Sequence, residues 1–181
     1  MKLSNETLSQ LPAGIARPTY DRAALTPGIV HIGLGTFHRA HQAWYLHRLM
    51  QQGLAHDWAI VGAGVRAGDA VQRDKLAAQD YLTTLIELDP ARTTAEVTGA
   101  MIDFAPIADD NAPLIACMSD PAIRIVALTV TEGGYFIDPA TKGFDAAHPD
   151  ITHDAASPQR PKTAFGAMIA ALRQRRASGA G

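Results

Sequence analysis

The sequence predicts an α/β fold: a doubly wound, mainly parallel sheet with an added antiparallel strand pair. Three observations predict it. Short β-branched runs alternate with amphipathic stretches along the chain. The first run, Gly28-Ile29-Val30-His31-Ile32, ends in Gly33 and Gly35 and passes directly into a helical pattern. The chain has 181 residues, 47% of them apolar and 19% charged, which suits one sizeable core better than two.

Each element follows in order. Residues 1–28 carry Pro12, Gly14, Pro18 and Pro27 without sustained periodicity and read as an N-terminal arm packed over the domain, with no chemistry of its own. Residues 29–181 form the domain. After the first strand, apolar positions at Ala40, Ala43, Trp44, Leu46, Leu49 and Met50 predict one helix over 38–52, closed by Gly53. A second strand is expected over 58–65 and a short helix over 69–79, with Asp69 near its start. The β-rich runs 81–88 and 96–104 predict the antiparallel pair, and residues 110–119 a further helix. Residues 123–130 are the strongest buried-strand candidate, 133–157 read as loop, and 161–177 as a closing amphipathic helix.

Composition narrows the function classes. A net charge of −2 gives no electrostatic reason to expect nucleic acid or an anionic membrane as partner. Arg173, Arg175 and Arg176 fall near a helix end, where cations offset the dipole. Cys117 is the single cysteine, so no intrachain disulfide forms, and a buried thiol in a reducing cytoplasm is expected. Residues 1–10 lack the apolar core of a signal peptide, and no stretch has the roughly 18 apolar residues of a membrane span.

The chemistry is carried by the glycine turn. Gly33-Leu34-Gly35 stands at a strand end and before a helix, the context that gives G-x-G its meaning. Gly33 permits the sharp turn, Gly35 lets backbone approach a pyrophosphate, and the helix start supplies N–H donors. This is a Rossmann-type arrangement, although His38 occupies the place of the usual third glycine. His38 and His41, with His47 further on, also have helical spacing for a metal. The additional ligands such a site needs are missing from the pattern, so no metal is expected and these histidines read as surface or phosphate-facing. The acid that would select NAD by accepting ribose hydrogen bonds is Asp69, later in the chain than the roughly 20 positions usual. Arg66 beside it suits a 2′-phosphate instead, and Asp69 as a simple helix cap is the structural alternative.

The segment Gly33-Leu34-Gly35-Thr36-Phe37-His38-Arg39-Ala40-His41-Gln42 resembles the G-x-G-x-F-H-R-A-H-Q segment of the mannitol dehydrogenase family, the polyol-specific long-chain dehydrogenases. Leu128-Thr129-Val130-Thr131-Glu132-Gly133-Gly134-Tyr135 is similar to the family's L-T-[IV]-T-E-G-G-Y segment, and residues 157–176 to the helix that follows it. The resemblance implies NAD-dependent, metal-independent interconversion of a polyol and a ketose, such as D-mannitol and D-fructose. It implies that Gly33, Gly35, Phe37, His38 and Arg39 line the cofactor, that Asp69 lies by the adenosine ribose, and that Thr129, Thr131 and Glu132 edge the cleft. Glu132 is further expected to help catalysis by orienting a hydroxyl or relaying a proton. The family's acid/base lysine, in a K-x4-N-x2-H pattern, has no counterpart here, so the chain is expected to be the cofactor domain without the helical catalytic domain. Two other readings stay open: a fructuronate-type hexuronate reductase of the same family, and a non-catalytic dinucleotide-binding module.

Overall fold

The computed structural model describes residues 2–180, the side chain of Glu132 excepted. Its centre is strand β2, Pro27–Ile32, in which every residue after Pro27 is buried. Because successive side chains on a strand point to opposite faces, β2 feeds two cores. Ile29 packs on one side with Leu46, Met50 and Ile60, while Val30 and Ile32 pack on the other with Leu114, Met118 and Ala167. Each such aliphatic side chain contributes about 1.5–3 kcal/mol on full burial. A strand buried on both faces has to be covered by helices on both faces, which is what an unbroken β-branched run signals.

The remaining elements supply that cover. Helices α1, Thr36–Ala40, and α2, Gln42–Met50, follow β2 and lead to β3, Ala59–Ala63. The single expected helix is therefore two. His41 breaks it with φ −121° and ψ −83°, where its backbone N–H (3.0 Å) and its ring Nδ1 (2.9 Å) both lie on the Phe37 carbonyl. At the far end Gly53, with φ +78°, closes α2 as expected: its N–H reaches the Met50 carbonyl and the Leu54 N–H the Leu49 carbonyl, a Schellman pair. Helix α3, Asp69–Ala77, then contributes Leu76 to the same core face.

β4, Thr83–Leu88, and β5, Thr93–Thr98, pair antiparallel, but the pair does not extend the main sheet. It forms a separate sheet, ordered β1-β5-β4, with β1, Ile15–Ala16, from the N-terminal arm. The second expected strand splits at Gly99, where a Cβ would lie 2.8 Å from the Arg22 side chain. That arginine donates to the carbonyls of Gly99, Asp80 and Met101 and so ties the arm to the domain.

After the split, β6, Met101–Phe104, joins the main sheet, whose order β6-β3-β2-β7 is parallel throughout. Helix α4, Ala112–Ser119, connects β6 to β7, Ile125–Leu128. The expectation of a buried strand here is corrected, since β7 is the sheet's last strand among the described residues and Ile125 and Val126 are exposed. The segment read as loop contains a 3-10 turn, Glu132–Tyr135, and a helix α5, Pro149–Ala156, before α6, Ala164–Ser178. Arg175 of α6 donates to the carbonyls of Met118, Asp120 and Ile123, closing the end of α4. No helix among the described residues is long and apolar enough to cross a membrane.

Candidate functional site

A cleft of about 690 Å³ opens at the carboxyl ends of the parallel strands, the position where doubly wound sheets bind ligands. Ile32 and Gly33 at the end of β2, Ala63 and Val65 at the end of β3, Phe104 at the end of β6, and Thr129 to Thr131 after β7 all line it.

The glycine turn forms its floor. Gly33 has φ +90°, and a Cβ there would fall 2.2 Å from the Thr129 carbonyl oxygen, so only glycine fits. Gly35 is the opposite case, with nothing within 4 Å of an added Cβ, which would point into open space. The first N–H groups of α1 have no intrahelical acceptor, and the adjoining Arg39 lines the cleft with its buried Nε unpartnered. A buried guanidinium nitrogen without an acceptor and a turn clear of side chains fit an anionic group such as a pyrophosphate.

Asp69 lies on the wall beyond β3. One carboxylate oxygen accepts the N–H groups of Val65 (3.0 Å) and Arg66 (3.1 Å). Gly64 makes the room for this, since a Cβ there would sit 2.4 Å from the Cβ of Asp69. The carboxylate therefore shapes the β3–α3 loop while still facing the cleft, with Arg66 and Gln72 alongside.

The cleft thus gathers Gly33, Gly35, Arg39, Asp69, Thr129 and Thr131. Two of the expected residues are placed elsewhere. Phe37 is 65% exposed and stacks on His41 outside the cleft lining. His38 is neither surface nor phosphate-facing: it is buried, because position 38 falls on the inner face of α1, and its ring stacks on His31 at 3.7 Å. Burial pushes the His38 pKa down to about 3, helped by the neighbouring His31, and burial lowers His31 to about 4. Glu132 opens the 3-10 turn, and its side chain lies outside the described part of the structure. Among the described residues no three His, Cys, Asp or Glu side chains converge as a metal site. Cys117 is half-buried, and burial raises its pKa to about 11.

The opposite wall carries residues that sequence reasoning gave no role: Phe136, His148, Asp150, Lys162 and Thr163. Lys162 and Thr163 are held by Asp154 of α5, whose carboxylate accepts the N–H of Lys162 (2.7 Å), the N–H of Thr163 (3.0 Å) and the Thr163 hydroxyl (2.6 Å). Burial opposes ionisation of Asp154, but these donors outweigh it and hold its carboxyl below the ordinary range. The available signal was Thr163, an N-cap type residue just before the closing helix.

Parallel sheet, glycine turn and strand-end cleft together define a Rossmann-type α/β domain. The chain belongs to the mannitol dehydrogenase family: the model of the mannitol dehydrogenase Rossmann domain matches residues 27–181. A mannitol 2-dehydrogenase of Cereibacter sphaeroides is 64% identical over 165 residues, covering 91% of this chain and 34% of that protein. A polyol:NADP oxidoreductase of Gluconobacter oxydans is 41% identical over 98% of this chain and 37% of its own length. Among solved structures, the Pseudomonas fluorescens mannitol 2-dehydrogenase ternary complex with NAD and D-mannitol superposes with a TM-score of 0.92 at 49% identity, covering 99% of this chain and 37% of that one. The chain thus spans little more than a third of the length of these relatives.

Proposed function

We propose that this chain is the dinucleotide-binding unit of an NAD-dependent polyol dehydrogenase acting between a polyol and a ketose, of the mannitol and fructose type. The observation that carries the reading is the unpartnered buried Nε of Arg39 beside a glycine turn that no side chain obstructs. On this reading the turn from Leu34 to Thr36 takes the pyrophosphate through backbone N–H groups, the Gly33 N–H being held by the Ala63 carbonyl, and Arg39 offsets its charge. Asp69 accepts from the adenosine ribose with the oxygen the loop leaves free, and Thr129 and Thr131 border the nicotinamide end. Lys162 adds a further cation on the facing wall.

When bound, NAD supplies the hydride acceptor. Oxidation of a secondary alcohol also needs a base placed on the hydroxyl proton, and the resemblance assigns that role to a lysine in a helical catalytic domain of the parent enzyme, outside residues 1–181. Glu132 is the auxiliary group this domain contributes, and no metal takes part. The single cysteine fits a cytoplasmic location.

Fluorescence titration of the chain with NADH and NADPH tests the reading. NADH is expected to bind more tightly, because a 2′-phosphate displaces the ribose hydroxyl from Asp69 and meets its negative charge. Asp69→Ala is expected to narrow the gap. Equal binding of both by the unmodified chain reverses the assignment, and a preference for NADPH moves it to Arg66.

A further inference from the structure

The fold buries a histidine pair that the proposed chemistry does not use. His31 is the penultimate residue of β2, two positions before Gly33, and His38 lies in α1 just after the turn. Their rings stack at 3.7 Å with an interplanar angle of 23°, and both residues are at least 97% buried. The hydrogen bonds around them fix where the ring protons sit. The Gly33 carbonyl can only accept, so the Thr129 hydroxyl donates its one proton there, at 3.1 Å. The Thr129 oxygen must then accept from His31 Nε2 at 2.9 Å, which makes His31 the Nε2–H tautomer. His38 likewise donates from Nδ1 to Gln42 Oε1 at 3.1 Å. The two ring nitrogens without partners, His31 Nδ1 and His38 Nε2, therefore carry lone pairs rather than protons.

The relay closes on Gly33, whose N–H already donates to the Ala63 carbonyl at 2.9 Å and whose carbonyl the Thr129 hydroxyl holds. Gly33 adopts φ +90° because it has no Cβ, and for the same reason its peptide has other conformations open to it. We propose that His31 is a positioning residue for dinucleotide binding: through Thr129 it locks the Gly33 carbonyl, and by stacking on His38 it fixes the start of α1 against the turn. The turn is then organised before ligand arrives, so affinity is not lost to ordering it. This rests on the dinucleotide reading above.

The test replaces the relay one link at a time in the 181-residue chain. His31→Leu removes the donor, whereas His31→Gln presents an amide N–H near the position of Nε2; Thr129→Val and Thr129→Ser form the matching pair. NADH titration is expected to show about a tenfold rise in Kd for His31→Leu and Thr129→Val, with recovery to within about threefold for His31→Gln and Thr129→Ser. The double variant His31→Leu/Thr129→Val is expected to lose no more than either alone, as links of one chain do. Nitrogen-15 NMR of the unmodified protein should show His31 as the neutral Nε2–H tautomer. An Nδ1–H tautomer overturns the relay, as does equal loss in His31→Leu and His31→Gln, or unchanged affinity in a folded His31→Leu. Should His31→Leu not fold, the Thr129 pair decides in its place: loss in Thr129→Val with recovery in Thr129→Ser supports the relay, and equal affinity in the two overturns it. If the unmodified chain binds no NADH, the dinucleotide reading fails on its own. The lock is then judged by the Gly33 and Leu34 amide signals: movement in His31→Leu with return in His31→Gln supports it, and signals unmoved in both overturn it.

Discussion

The two walls of the cleft are built by different means. One is continuous chain: β2, the glycine turn and α1 place Gly33, Gly35 and Arg39 within seven residues of one another. The other is assembled from the start of α5 and the segment before α6, held together by the buried carboxylate of Asp154. In the first wall backbone conformation sets the geometry, so a single Cβ is decisive. In the second, hydrogen bonds between distant segments set it, so changes are graded.

The largest effect is expected at Gly33. Gly33→Val demands a β-branched residue at φ +90° with its Cβ on the Thr129 carbonyl, and the chain should fail to fold, read as loss of the thermal transition by circular dichroism. A normal transition would break the claim that the first wall is fixed by backbone. Gly35→Val comes next. Its Cβ has no protein atom within 4 Å, so the fold should persist while NADH binding disappears. Retained binding would reduce the turn to a structural feature.

The second wall is expected to respond by degrees. Asp154→Ala leaves the Lys162 and Thr163 donors without their acceptor and should cost about 3 kcal/mol of stability, measured by urea unfolding. The Asp154 pKa is depressed in the folded state, so its contribution is fully present above the unfolded carboxyl pKa and is lost as pH falls through the lower folded value. The difference in stability between the unmodified chain and Asp154→Asn should therefore shrink on acidification below about pH 4. The smallest effects separate Arg39 from Lys162. Arg39→Ala, which removes the guanidinium with its unpartnered Nε, should raise the NADH Kd about tenfold. Lys162→Ala, on an exposed side chain, should raise it only about two- to threefold. Equal effects would erase the distinction between the walls.

The same distinction explains what the sequence discloses. The first strand, the glycine turn and the closing Gly53 are legible because each is a local pattern with a local cause. The break at His41 is not, since Ala43, Leu46 and Met50 keep a helical spacing that runs smoothly on from Ala40. The division of residues 96–104 into two strands of different sheets had one signal, Gly99 inside a β-rich run. Its cause, the packing of Arg22 from the arm, lies 77 positions away. The inward turn of His38 follows from where α1 begins, a matter of one or two residues that periodicity does not resolve. Lys162 and Asp150 gave no motif at all, because what brings them to the cleft is the fold around Asp154. The burial expected of Ile125 and Val126 rests on an apolar run, which reports how apolar a strand is and not whether another strand covers it.

Gly64 carries a consequence of a different kind. The strand-end glycine leaves the hollow that Asp69 fills, so the acid's position is set by an absent methyl group on a residue that need never meet a ligand. On the reading that Asp69 meets the adenosine ribose, the choice between two coenzymes is encoded partly in the packing of a strand end. Natural drift or deliberate engineering can then reach coenzyme preference through the smallest change available to a protein, one carbon atom, without altering any residue that contacts the coenzyme.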